Sequence, residues 1–217
     1  AADGKTLFYV VEDDAKRPYR LYRHAVGTTG PDALVLEEKD ERFTLAVSRS
    51  RDDRWILVQA SSHTQDEWRL LPAGEPAGAF RVVVPREKDH EYDVEAAGDL
   101  LYIRTNDGCR DFRVVTAPAA DPGKGSWREL VPCRAGVMVA GLDAFRGHLV
   151  LRERRDALPY LAVRDLATGA THGIEVPEAI SVVSPEANPE YDTRTFRFAF
   201  QSFTTAPMVF DYDMGTR

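Results

Sequence analysis

The sequence predicts an all-β chain, a β-propeller of four-stranded blades, and three observations carry that reading. First, Phe8, Trp55, Tyr102, Leu149 and Phe196 stand 47 residues apart each time, and Tyr9, Ile56, Ile103 and Val150 follow the first four with a second apolar side chain. Second, turn formers precede every anchor, as Asp3-Gly4, Asp52-Asp53, Gly98-Asp99, Arg146-Gly147 and Asp192-Thr193. Third, short apolar or alternating runs dominate, as in Leu7–Val11, Phe43–Val47, Arg81–Val84 and Phe196–Phe200, and no window carries a helical stripe over three turns.

The elements follow in order. After each anchor strand a second extended run opens at Tyr19, Trp68, Phe112, Tyr160 and Met208, which makes five hairpins. The second unit divides into strands at about 43–48, 54–60, 67–71 and 80–84, and the third into 91–95, 100–105, 111–116 and 127–131. Four strands in a repeat of roughly 40–50 residues is the pattern of a propeller blade. A large β-sandwich is the competing architecture, but it has no reason to keep a constant register. No Trp-Asp dipeptide follows the strands, which disfavours the best-known propeller repeat. The units fall at about 1–40, 41–88, 89–134, 135–178 and 179–217, with 3, 4, 4, 4 and 3 strands. The first unit lacks an innermost strand and the last an outermost one. The expectation is therefore about five blades cut from a longer propeller, with exposed sheet edges that favour self-association.

Composition excludes several classes. With 43% hydrophobic and 29% charged residues the chain is of ordinary globular type. Its longest apolar stretch, Ala135 to Leu142, is far short of the roughly 20 residues of a spanning helix, so no membrane partner is expected. A net charge of −7 without a basic stripe argues against nucleic acid. Cys109 and Cys133 could pair, but 24 residues apart in a chain with a large core they are read as two separate reduced thiols, which points to a cytoplasmic protein without excluding the periplasm.

Several stretches resemble a known family: Tyr22-Arg23-His24-Ala25-Val26-Gly27-Thr28, Glu37-Glu38-Lys39-Asp40, Pro85 through Tyr92, Asn188-Pro189-Glu190, Ser202 through Pro207, and Asp211-Tyr212-Asp213-Met214. Together, and in this order along the chain, they are similar to the propeller of the oligopeptidase B (protease II) branch of the prolyl oligopeptidase family. The resemblance implies a partial seven-bladed propeller that sits over an α/β-hydrolase domain with a Ser-Asp-His triad. It also implies cleavage of short peptides after Arg or Lys, with the propeller restricting access by folded proteins. The hydrolase domain is absent from these residues. The string nearest to a nucleophile elbow, Gly123-Lys124-Gly125-Ser126-Trp127-Arg128, lacks the second glycine.

No residue is therefore assigned a catalytic, cofactor-binding or metal-binding role, and no cofactor is expected. His24, His63, His90, His148 and His172 lie too far apart for a ligand motif. Ser62-His63 beside Asp66 and Glu67 supplies the residue types of a charge relay, but adjacent strand side chains point to opposite faces. The mixed-charge run Arg86 to Glu91 reads as a solvated loop, with a salt-bridge network between blades or domains as the alternative. Arg152 to Asp156 reads as a solvated hairpin tip, or else as a contact with the missing domain or with entering peptide. Glu12-Asp13-Asp14 and Asp211-Tyr212-Asp213 read as solvated edges able to attract cationic peptides. Two functions fit: the substrate-gating propeller of a serine oligopeptidase, partnered by the hydrolase domain of the same parent chain and by short basic peptides, or a stand-alone binding module without catalysis.

Overall fold

A computed structural model describes residues 1–217, and it consists of antiparallel strands with one single-turn 3-10 segment at Lys124–Ser126. The first sheet contains β1 (Thr6–Glu12), β2 (Pro18–Ala25) and β3 (Ala33–Glu37). The second holds β4 (Thr44–Arg49), β5 (Trp55–Ser61), β6 (Asp66–Pro72) and β7 (Arg81–Val82), and the third β8 (Tyr92–Ala97), β9 (Leu100–Thr105), β10 (Arg113–Pro118) and β11 (Arg128–Val131). The fourth holds β12 (Val137–Ala144), β13 (His148–Arg155), β14 (Leu158–Asp165) and β15 (Thr171–Gly173), and the fifth β16 (Ser181–Pro185), β17 (Thr195–Ser202) and β18 (Met208–Asp213). Each sheet is a meander in chain order, so the all-β, partial-propeller class and the 3, 4, 4, 4, 3 strand pattern hold.

The 47-residue repeat has a physical origin. Its anchors all fall near the start of equivalent strands, Phe8 in β1, Trp55 in β5, Tyr102 in β9, Leu149 in β13 and Phe196 in β17. In the four-stranded sheets this strand has a neighbour on each side, and most of its residues are buried. A strand paired on both edges and covered on both faces needs apolar side chains at nearly every position. Where one face is exposed, as on β17, the pattern alternates: Phe196, Phe198 and Phe200 are buried while Thr195, Arg197 and Gln201 are exposed. Each fully buried side chain of this kind contributes about 1.5–3 kcal/mol.

The chain packs as two compact units, residues 1–101 with 117–127, and residues 102–116 with 128–217. In the first, Leu21, Phe43, Leu45, Val58 and Ala60 form a buried cluster flanked by Phe8, Val10 and Phe80. In the second, Phe145, Val150, Leu161, Val163 and Ile174 pack against the three phenylalanines of β17 and Met214. Tight turns close the hairpins. Arg155 pairs with Leu158 across a two-residue loop in which Asp156 and Ala157 both have positive φ (49° and 66°), the geometry whose twist suits a hairpin.

Two expectations change. The fourth strand of the second sheet covers only Arg81–Val82 instead of 80–84, because Val83 and Val84 leave the ladder while staying buried, with the Val83 N–H still donated to the Trp68 carbonyl. The cysteines are not separate thiols: Cys109 and Cys133 form a disulfide with Cα atoms 5.7 Å apart. Their 24-residue separation runs up β10 and back down β11, where Val114 pairs with Val131, so the loop before one strand and the segment after the next meet at one end of the sheet.

Candidate functional site

The charged residues singled out in the sequence gather at two junctions. At each, a hairpin between the second and third strands of a sheet meets the connection that leads out of a sheet. The first lies in the first compact unit. Arg86, in the segment after β7, places Nη2 2.6 Å from Glu38 Oε2 and 3.5 Å from Glu67 Oε1, and its guanidinium carbon sits 3.9 Å from the centre of the Phe43 ring. Its backbone N–H also donates to Glu67 Oε2. Burial alone would lower the pKa of Arg86, but Glu38 and Glu67 outweigh it and hold the guanidinium above its usual value. Both glutamates are only 7% exposed. The Arg86–Glu91 run is thus a salt-bridge network between the first two sheets, not a wholly solvated loop. Glu38 belongs to the connection after β3, and Glu67 opens β6.

Neighbouring groups complete that junction. Arg17 at the β1–β2 hairpin donates to the carbonyls of Glu38, Asp40 and Phe43 and pairs with Asp13 at 3.0 Å. His90 is buried and stacks on Tyr92 at 5.0 Å, while the Tyr92 hydroxyl donates to the Val84 carbonyl at 2.6 Å and accepts from the Trp68 N–H. Burial raises the pKa of the Tyr92 phenol strongly and also pushes the Asp66 carboxyl up, although Asp66 accepts from Gln59 Nε2 and the Tyr92 N–H. Asp40 is held down to about 2 by the Arg42 side chain.

The second junction lies in the second unit and inverts the charges. Glu153, with its side chain fully buried, accepts from Arg134 Nη2 at 2.5 Å and from Arg155 Nε and Nη2 at 2.9 and 2.7 Å. The Arg155 guanidinium also lies 3.5 Å from the centre of the Tyr160 ring. Arg152 faces Asp143 at 3.4 Å, and its guanidinium lies over Gly141, where a Cβ would push it aside. Arg154, Asp156, Ala157 and Leu158 are the exposed residues at the end of this hairpin. Glu153 could have been found from parity alone: Leu149, Leu151 and Glu153 share one face of β13, and the first two are core positions.

The other candidates stay apart. Ser62 and His63 lie in the β5–β6 turn instead of on a strand; Ser62 Oγ donates to the Gln65 carbonyl, His63 is exposed and Asp66 is buried, so no relay forms. Ser126 Oγ donates to Asp121. His24 pairs with Asp32 at 2.7 Å, and Asp32 also accepts from the Tyr9 hydroxyl. His148 and His172 fall in the fourth sheet, and no three His, Cys, Asp or Glu side chains gather as a metal would need. The acidic ends serve local turns and pairs: Asp13 caps Ala15 and Arg17, Asp211 binds Arg197 through both oxygens at 2.7 Å, and Asp213 accepts the N–H groups of Gly215 and Thr216.

Repeated meander sheets joined by such junctions define a β-propeller domain. All of residues 1–217 match the family described as the prolyl oligopeptidase N-terminal beta-propeller domain, and the chain belongs to that family. It is 38% identical over 217 residues to dipeptidyl aminopeptidase BI of Pseudoxanthomonas mexicana, covering 99% of this chain and 30% of that protein. It is also 29% identical over 214 residues to Protease 2 of Moraxella lacunata, covering 98% and 30%. Among solved structures it is similar to oligopeptidase B from Trypanosoma brucei with covalently bound antipain in the closed form, at a TM-score of 0.89 and 26% identity over 98% of this chain and 32% of that one. Oligopeptidase B from Leishmania major gives the same TM-score and identity. The oligopeptidase B resemblance read from the sequence is met by these relatives, and the chain spans about a third of their length.

Proposed function

We propose that this chain is the substrate-gating propeller of a serine oligopeptidase whose catalytic α/β-hydrolase domain is carried elsewhere in the same parent polypeptide. The single observation that carries the reading is the match of all 217 residues to the propeller family of prolyl oligopeptidases. Relatives roughly three times as long supply the reason to place the triad outside these residues. On this reading the propeller selects by size: a flexible peptide reaches the catalytic serine, and a folded protein does not. Selection by sterics needs a scaffold whose sheets keep their spacing, and the paired junctions around Arg86 and Glu153 are suited to hold it.

We infer further that the joined enzyme cleaves short peptides after Arg or Lys, supported by similarity to Protease 2 and to the oligopeptidase B structures. A second reading, removal of dipeptides from a free N-terminus, is favoured by the 38% identity to a protein named dipeptidyl aminopeptidase. The parent enzyme, assayed on an internally quenched peptide with a central Arg and on a dipeptidyl amide, separates the two. Cleavage of the blocked peptide after Arg supports the first; cleavage only of substrates with a free amino group two residues from the scissile bond supports the second. The isolated 217-residue chain is expected to hydrolyse neither, and turnover by a pure preparation would overturn the assignment of catalysis to the missing domain. The terminal sheet edges are proposed to drive self-association of the isolated chain, so a sedimentation profile of a clean monomer at high concentration contradicts that part.

A further inference from the structure

We propose that the Cys109–Cys133 disulfide is a thiol–disulfide exchange site, entered through Cys133, that latches the loop between β9 and β10 onto the free edge of β12. Three observations converge. The first is the edge itself. β12 is the terminal strand of the fourth sheet, and its pairing with β13 is interrupted between Val139 and Gly141. At that break the backbone of Val139 turns to the loop: its N–H donates to the Asp111 carbonyl at 2.9 Å, and its carbonyl accepts from Arg104 Nε at 2.6 Å. The loop therefore covers an edge whose backbone groups would otherwise be open to another strand.

The second observation is the conformation of the loop. Phe112 is buried with φ of 63°, a left-handed backbone that is strained for an aromatic residue. It is held there by the Arg104 guanidinium 3.5 Å from its ring centre and by donation of its N–H to the Cys109 carbonyl. A residue in such a conformation persists only while its surroundings fix it, and the covalent bond ties this segment to the connection that feeds β12.

The third observation is the asymmetry of the two cysteine residues. Cys109 is 4% exposed, whereas Cys133 is exposed. A dithiol reductant, small or protein-borne, thus meets Cys133 first. Its thiolate attacks Cys133 Sγ, the S–S bond breaks, and the electron pair leaves on Cys109 Sγ, which takes up a proton. The second thiol of the reductant then attacks the mixed disulfide, forms the cyclic oxidised dithiol and releases the Cys133 thiolate. Two electrons pass to the protein, and the loop loses its covalent tie to β12.

The test uses the full-length protein that carries this chain. Peptide mapping without reductant, after folding in an oxidising glutathione buffer, is expected to give the Cys109–Cys133 linked peptide; two free thiols there would overturn the proposal. Hydrogen exchange on native protein before and after dithiol treatment is expected to rise about tenfold or more in peptides covering 106–113 and Val139, with the β5 and β17 peptides unchanged. Identical protection in both states would remove the latch. Cys109→Ser is expected to leave a thiol that attacks oxidised glutathione quickly, forming a mixed disulfide and releasing one glutathione thiol, and Cys133→Ser one that reacts at least about tenfold more slowly. Equal rates would overturn entry through Cys133. Because the exchange comparison uses unsubstituted protein, it decides the latch even where a variant does not fold.

Discussion

The two junctions solve one problem with opposite charge arithmetic. Around Arg86, one guanidinium serves two carboxylates, each 7% exposed, while around Glu153 one buried carboxylate serves two guanidinium groups whose side chains are 33% and 38% exposed. The difference lies in what remains when the hub is lost. Without Arg86, two like charges stay buried with less compensation; without Glu153, two long side chains can swing into water. A buried ion pair is strongly destabilising when broken, because an uncompensated charge remains. The first junction should therefore be the more brittle.

The largest effect is expected from Arg86→Met. It should lower unfolding free energy by about 3–5 kcal/mol in urea titration, with part of the loss recovered when Glu38→Gln is added. No recovery in that double-mutant cycle would mean the three side chains are not coupled. Next comes Cys109→Ser with Cys133→Ser. Opening a loop of this length is expected to cost about 3 kcal/mol, read as a lower midpoint in the second unit's probes and no shift in those of the first. Glu153→Gln should cost less, about 1–2 kcal/mol, since its amide keeps one acceptor and both arginines can reach solvent. If Glu153→Gln proves costlier than Arg86→Met, the comparison fails.

The smallest effect concerns pH. Burial lowers the pKa of His172, with Arg217 and His148 adding repulsion. A histidine with a depressed folded pKa binds its proton more readily unfolded, so its contribution to stability is present above about pH 6.5. It is lost as pH falls from there through the folded value. Replacing His172 by Gln should flatten the stability–pH curve in this window by a fraction of a kcal/mol. An unchanged slope would show that other groups set it.

Much of the architecture was legible because its signals are local. Turn formers before Phe8, Trp55, Tyr102, Leu149 and Phe196, and alternation along Phe196–Phe200, depend on residues only a few positions apart. The junctions depend on partners far along the chain: Arg86 meets Glu38 48 positions away, and Cys109 meets Cys133 only because β10 and β11 fold back on each other. Charge runs look alike whether solvated or paired, so Arg86–Glu91 could not be resolved by composition. Glu153 does carry a local signal, its parity with Leu149 and Leu151 on β13, which reading Arg152 to Asp156 as a hairpin tip passes over. The catalytic chemistry is not legible because no nucleophile elbow stands in the sequence, and the proposed function accordingly assigns it to another part of the parent polypeptide.

The central claim, that this propeller selects by size, is tested most directly by the parent enzyme's kcat/KM for one Arg-containing sequence presented in two forms, as a free peptide of about ten residues and as an accessible loop of a folded protein. The account predicts efficient cleavage of the peptide and a loss of at least about a hundredfold for the folded form, about 2.7 kcal/mol in transition-state terms. Comparable values for the two forms would contradict it.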